Sequence, residues 1–309
     1  MVAPLARGMA CVVALLASAA TANAQTKRPM TFADIMELKN VGGVSLSPDG
    51  SKVAYTVAGW EHPNARPSTD PAKPDTAKGD KHETRAHIWM VAATGGTPRQ
   101  LTFSERGENA PQWSPDGRSL AFLSSRGSAA DTKSQIWILP MDGGEAYQLT
   151  TSKESVTGFE WSKDGSRIAF LAVDTLPKTD EAKTARRDDP QVFEANFRLS
   201  HGWVIDVATK RATEVVHGNF TVNGTPSWSP DGSRLAFMAA PTTLLRDTRS
   251  DIYVVTIADK SLTKLTSKPD AGSPPAWSPD GKTLAFTELR RVTPLAPTAS
   301  WIARSATII

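Results

Sequence analysis

Trp113-Ser-Pro-Asp-Gly117, followed by Leu120-Ala-Phe122, decides the fold because the chain repeats it. It recurs as Leu46-Ser-Pro-Asp-Gly50 with Val53-Ala-Tyr55, and as Trp161-Ser-Lys-Asp-Gly165 with Ile168-Ala-Phe170. Trp228-Ser-Pro-Asp-Gly232 with Leu235-Ala-Phe237 and Trp277-Ser-Pro-Asp-Gly281 with Leu284-Ala-Phe286 complete the set. The aspartates stand at 49, 116, 164, 231 and 280, so the intervals are 67, 48, 67 and 49. The short intervals give a unit of about 48 residues and the long ones hold insertions. In the motif, Pro presets φ near −65°, Asp suits the next corner and Gly takes the left-handed conformation. Each copy therefore reads as a tight antiparallel turn, which is structure rather than chemistry. A calcium loop is excluded, because no copy alternates acids or ends in the required Glu.

Each unit continues with a short apolar run: Ile88-Trp-Met-Val91, Ile136-Trp-Ile-Leu139, Trp203-Val-Ile205 or Ile252-Tyr-Val-Val255. A turn follows, and then a fourth run such as Gln100-Leu-Thr102, Gln148-Leu-Thr150 or Lys264-Leu-Thr266. Four short β-rich runs per unit predict an all-β chain, a β-propeller of four-stranded blades. Four tryptophans precede the turns (113, 161, 228, 277) and three sit in the third strands (89, 137, 203), so they read as core. The insertions, about 58–85 and 174–199, both fall between second and third strands and are expected on the face opposite the turns. Residues 190–201 add apolar anchors at Val192, Phe193 and Phe197.

The 309 residues therefore divide unevenly. Residues 1–24 read as an export signal: Arg7, an apolar run from Met9 to Ala20, and the small-residue site Ala22-Asn23-Ala24. Residues 25–43 lead in, and 44–289 hold four units and the first two strands of a fifth. The tail, 290–309, departs from the pattern, and Pro294 and Pro297 argue against a central strand there. A reading-frame shift near Arg291 is the expected cause. The only cysteine, Cys11, lies in the export signal, so no disulfide is expected. A periplasmic or secreted location follows from that signal, and no segment reads as a membrane span. The formal charge of +3, with scattered Lys and Arg, gives no case for nucleic acid. No His-Glu-x-x-His or cysteine cluster suggests a metal, and no cofactor is expected.

The repeats, the opening Met30-Thr-Phe-Ala-Asp-Ile-Met-Glu-Leu-Lys-Asn-Val41, and Val204-Ile-Asp-Val-Ala-Thr209 resemble the propeller part of the prolyl oligopeptidase family of serine peptidases. The similarity is to its acylaminoacyl-peptidase and dipeptidyl-peptidase branch. It implies peptide substrates, and a propeller that restricts access to a following α/β-hydrolase domain bearing a Ser-Asp-His triad. This sequence contains no Gly-x-Ser-x-Gly elbow, so no catalytic residue is assigned and the 309 residues are expected to be inactive alone. Glu194, Arg198 and His201 are the substrate-gating candidates: a carboxylate pairs with a peptide amino terminus, and Arg with a carbonyl or carboxylate. The competing reading for these three is a solvated loop with local salt bridges. One alternative function is a non-catalytic periplasmic binding propeller resembling the Tol-system translocation protein, and another is a product without function.

The core assignment is tested at Trp161. Trp161→Ala is expected to cost about 3–5 kcal/mol in chemical denaturation; an unchanged melting temperature refutes it.

Overall fold

A computed structural model describes residues 29–61, 83–127, 133–175, 198–241, 243, 250–266, 271–290 and 300–307. The chain divides into two compact units, Met1–Met36 and Glu37–Ile309. The described part of the first holds one short helix, α1 (Phe32–Met36). Its start is reciprocally capped: Asp34 N donates to Thr31 Oγ1 at 3.3 Å, and Thr31 N donates to Asp34 Oδ2 at 2.7 Å.

The second unit is built of antiparallel sheets in strict chain order. The first is β1 (Asn40–Leu46), β2 (Lys52–Glu61), β3 (Glu83–Ala92) and β4 (Arg99–Gln100). The second is β5 (Glu108–Trp113), β6 (Ser119–Ser124), β7 (Gln135–Pro140) and β8 (Tyr147–Gln148). The third is β9 (Val156–Trp161), β10 (Arg167–Val173), β11 (Ser200–Asp206) and β12 (Ala212–Val216). The fourth is β13 (Thr221–Trp228), β14 (Arg234–Ala240), β15 (Asp251–Thr256) and β16 (Leu262–Lys264). The fifth has three described strands, β17 (Ala276–Trp277), β18 (Thr283–Arg290) and β19 (Ser300–Thr307). This is an incomplete β-propeller.

Two features exceed the sequence reading. The β2–β3 hairpin pairs from Lys52↔Ala92 to Glu61↔Glu83, so its arms run into the stretch assigned to the first insertion. Residues 62–82 lie outside the described part. The divergent tail supplies β19, which pairs with β18 from Thr283↔Thr307 to Arg290↔Ser300. Pro294 and Pro297 precede that strand, in residues outside the described part.

The turns form as their residues dictate. In the fourth sheet Gly232 N donates to Ser229 O at 2.9 Å, and Gly232 has φ +67°. Ser229 Oγ donates to Asp231 Oδ1 at 2.6 Å and accepts from Arg234 N at 2.9 Å. The same bonds recur at Ser47 and Asp49, Ser114 and Asp116, Ser162 and Asp164, and Ser278 and Asp280. The serine hydroxyl holds the carboxyls of Asp49, Asp164 and Asp231 down at about 2, with the backbone N–H of the second residue onward assisting.

The core lies between consecutive sheets. Ala54, Ile88, Trp113, Leu120 and Phe122 fill the first boundary. Phe159, Trp161, Ile168 and Phe170 join Leu123 and Ile136 at the second. Trp228, Leu235 and Phe237 meet Ala169, Leu171 and Val204 at the third. Ala236, Ile252 and Leu284 close the fourth. Each fully buried Leu, Ile or Phe contributes about 1.5–3 kcal/mol of transfer free energy.

The tryptophans also bond backwards. Trp113 Nε1 donates to Ser45 O at 3.2 Å, Trp228 Nε1 to Glu160 O at 3.1 Å and Trp277 Nε1 to Ser227 O at 3.0 Å. Arg167 lies over the Trp228 ring at 4.9 Å and donates to Gly232 O at 2.9 Å. Arg234 does the same to Trp277 at 4.9 Å and to Gly281 O at 3.3 Å. The second boundary lacks this reinforcement. Trp161 Nε1 is buried without a partner, and Ser119 stands where Arg167 and Arg234 stand in later repeats.

The turn serine is the cheapest point to test. Ser229 is 1% exposed, and Ser229→Ala leaves the Arg234 N–H without its hydroxyl acceptor. The expected loss is about 1–3 kcal/mol by urea denaturation.

Candidate functional site

The Ser-Pro-Asp-Gly turns occupy one end of the sheets. The connections between second and third strands leave from the other end, and there the titratable side chains gather. In each of the first four sheets the residue at one register position of the third strand is polar and buried: His87, Gln135, His201 and Asp251. Each fastens neighbouring chain. Gln135 Oε1 accepts from Thr150 Oγ1 at 2.8 Å and Ser152 N at 2.9 Å. Asp251 accepts from Thr266 Oγ1 at 2.7 Å and Lys264 Nζ at 2.8 Å. His87 Nδ1 meets Glu108 Oε2 at 2.9 Å, and Arg126 Nη2 donates to Glu108 Oε1 at 2.9 Å. Ser104 N also donates to Glu108 Oε1 at 3.2 Å, so burial of the carboxylate is compensated by three nitrogen partners.

The third sheet departs from its neighbours. His201 is 1% exposed, with Nδ1 2.7 Å from Asp174 Oδ1 and Nε2 2.9 Å from Gly218 O. Its ring lies 4.6 Å from that of His217, whose Nδ1 is 3.2 Å from Glu214 Oε1. His201, Glu214 and His217 each offer a ligand atom, all within 4.8 Å of one another.

Among the gating candidates, the structure brings Arg198 and His201 together at Asp174, while Glu194 lies outside the described residues. Arg198 Nη2 pairs with Glu154 Oε1 at 2.7 Å and donates to Asp174 O at 2.9 Å. Lys133 Nζ lies 3.6 Å from the same Glu154 carboxylate. The guanidinium is thus engaged at the base of the second insertion, and His201 is turned into the sheet rather than outward. Asp174, Glu214 and His217 were missed. Their signal was a departure from the repeat: Glu214-Val-Val-His217 replaces the Gln-Leu-Thr of the first two units, and Gly202 replaces the Ile of three others.

Glu160, on β9, is a further unusual acid. It is partly buried, and desolvation pushes its carboxyl up to about 7. Its backbone carbonyl accepts the Trp228 indole across the third sheet boundary.

A family model described as "TolB beta propeller domain" matches residues 192–295. Over 100 residues the chain is 28% identical to "Uncharacterized peptidase YuxL" of Bacillus subtilis, covering 32% of this chain and 13% of that protein. Over 116 residues it is 27% identical to "Dipeptidyl-peptidase 5" of Porphyromonas gingivalis, covering 38% of this chain and 14% of that one. The chain thus spans a small part of the curated relatives it matches. Among solved structures, an acylaminoacyl peptidase of Pyrococcus horikoshii superposes with TM-score 0.56 at 15% identity, covering 87% of this chain and 38% of that one. Residues 192–295 are thus similar to a TolB β-propeller domain, and the two curated relatives named above are peptidases.

Glu160, nearer the turn end, gives the third sheet a pH test. Its folded pKa of about 7 lies above the ordinary carboxylate value of 4.5, so the folded state holds the proton more tightly. Stability from this group is fully present below about 4.5 and is lost as pH rises towards and through 7. Glu160→Gln is expected to raise unfolding free energy by about 1–3 kcal/mol at pH 8 and by nothing at pH 4. Equal effects at both pH values, by urea denaturation, would contradict the desolvated position.

Proposed function

We propose that this propeller is the substrate-gating part of an exported serine peptidase of the prolyl oligopeptidase family. The observation that carries the reading is the identity to two peptidases at 27–28%. The propeller fold and the polar end of the third sheet support it. In this reading the second insertion, fastened at its base by Arg198 to Glu154, shapes the passage for short peptides. The serine, aspartate and histidine of catalysis belong to an α/β-hydrolase domain outside these 309 residues. Substrates are peptides small enough to pass the propeller. Export rests on the signal read at residues 1–24, which lie outside the described part. No helix among the described residues is long and apolar enough to cross a membrane.

A second reading is a periplasmic binding propeller that holds a protein partner. The TolB family match over residues 192–295 favours it.

Two measurements separate these. A chain of these 309 residues, purified, is expected to show no fluorophosphonate labelling and no hydrolysis of chromogenic acyl-peptides or dipeptides. The nucleotide sequence beyond codon 309 is expected to encode hydrolase segments with a Gly-x-Ser-x-Gly elbow. Labelling of the chain itself, or absence of any such downstream frame, overturns the peptidase-propeller reading. Retention of one envelope protein in a pull-down, with no hydrolase frame, supports the binding propeller.

A further inference from the structure

We propose that His201, Glu214 and His217 bind one divalent transition-metal ion of the zinc class, with Asp174 as the residue that orients the His201 ring. The donor set is two imidazoles and one carboxylate, which is a zinc-type set. The ligand atoms already lie within 4.8 Å of one another.

Local structure explains the gathering. His201 is the second residue of β11, Glu214 lies in β12 and His217 follows it directly. The β11–β12 register slips between Gly202 and Trp203, where Gly202 pairs with Val216 and Trp203 with Glu214. A Cβ at Gly202 would stand 3.0 Å from Val216 Cβ, so the close approach of β12 needs glycine. The equivalent residues Ile88, Ile136 and Ile252 each donate their N–H to a threonine hydroxyl of the fourth run. The third repeat has Val216 at that threonine position and histidine directly after it. The propeller fold is built without these substitutions in three other sheets, so the fold does not require them.

The electrostatics point the same way. Asp174 Oδ1 sits 2.7 Å from His201 Nδ1, and with the ring proton on Nδ1 donated to it, Nε2 is left as the ligand atom. That Nε2 faces the Gly218 carbonyl oxygen at 2.9 Å. A cation bound at Nε2 takes the place of the Gly218 carbonyl as its partner. Asp174 and Glu214 supply two negative charges to balance it. His217 is 73% exposed and Glu214 35% exposed at the side chain, so both can swing the short distance to metal–ligand lengths of about 2.0–2.2 Å. A cavity of about 190 Å³ lined by Glu214, His217, Lys260 and Leu262 adjoins them and leaves room for a water ligand. The ion would staple the end of β12 to both ends of the second insertion, since Asp174 N also donates to Leu199 O at 2.8 Å.

The test is calorimetric titration of tag-free, metal-stripped chain with zinc chloride alone. One site with micromolar dissociation is expected. His217→Ala, at an exposed position, is expected to leave the metal-free melting temperature unchanged and to weaken zinc at least tenfold. Asp174→Asn is expected to weaken it by about 10–100-fold. Absence of a binding heat, or wild-type affinity in a folded His217→Ala chain, overturns the proposal.

Discussion

An isolated four-stranded sheet cannot bury both faces, and the structure depends on how each sheet is fixed to the one before it. The tryptophan ahead of the turn does this. Its ring fills the boundary and its indole N–H finds a carbonyl one sheet back, at Ser45, Glu160 and Ser227. The apolar part supplies most of the free energy, because a buried Trp removes about 150–250 Å² from water. The hydrogen bond is directional and ties each indole to one carbonyl of the preceding sheet. Arg167 and Arg234 reinforce the third and fourth boundaries from above the ring. Trp161 works by packing alone.

The two ends of the sheets do different things. At the turn end serine, aspartate and glycine bond to one another and to the next strand within five residues, and the additions from afar among the described residues are the Arg167 and Arg234 bonds to the Gly232 and Gly281 carbonyls. Such turns are chemically closed. At the other end the buried polar position of each third strand is satisfied by residues far along the chain, as Glu108 serves His87. Long-range partners are free to differ from sheet to sheet, so chemistry can be placed there without disturbing the fold. The His201 cluster and the Arg198 pair both occupy this end.

The architecture was legible because its causes are local. The Pro-Asp-Gly turn and the tryptophan at fixed spacing carry their own geometry, so strand order and core followed from the repeat. The third strand of the fifth sheet was not legible. Ser300–Thr307 lacks the repeat's Ile-Trp pattern, yet its backbone meets β18 over eight paired positions, from Arg290↔Ser300 to Thr283↔Thr307. Sheet hydrogen bonding needs an edge to pair with more than a particular sequence. The site was half legible. Arg198 and His201 were found from their place beside an insertion, but Glu214 and His217 come together only through the slip at Gly202, a register event without a motif. Glu160 was invisible because its desolvation comes from packing and not from a motif.

The spacing of the indoles has a spectroscopic consequence. Trp113, Trp161, Trp228 and Trp277 lie one at each successive boundary, and three of them bond across it. Each boundary therefore contains its own intrinsic fluorophore. A set of variants that retains one of these four rings, with the other eight tryptophans replaced, would resolve unfolding boundary by boundary. The trace would distinguish an array that melts as a single body from one that unzips from an end.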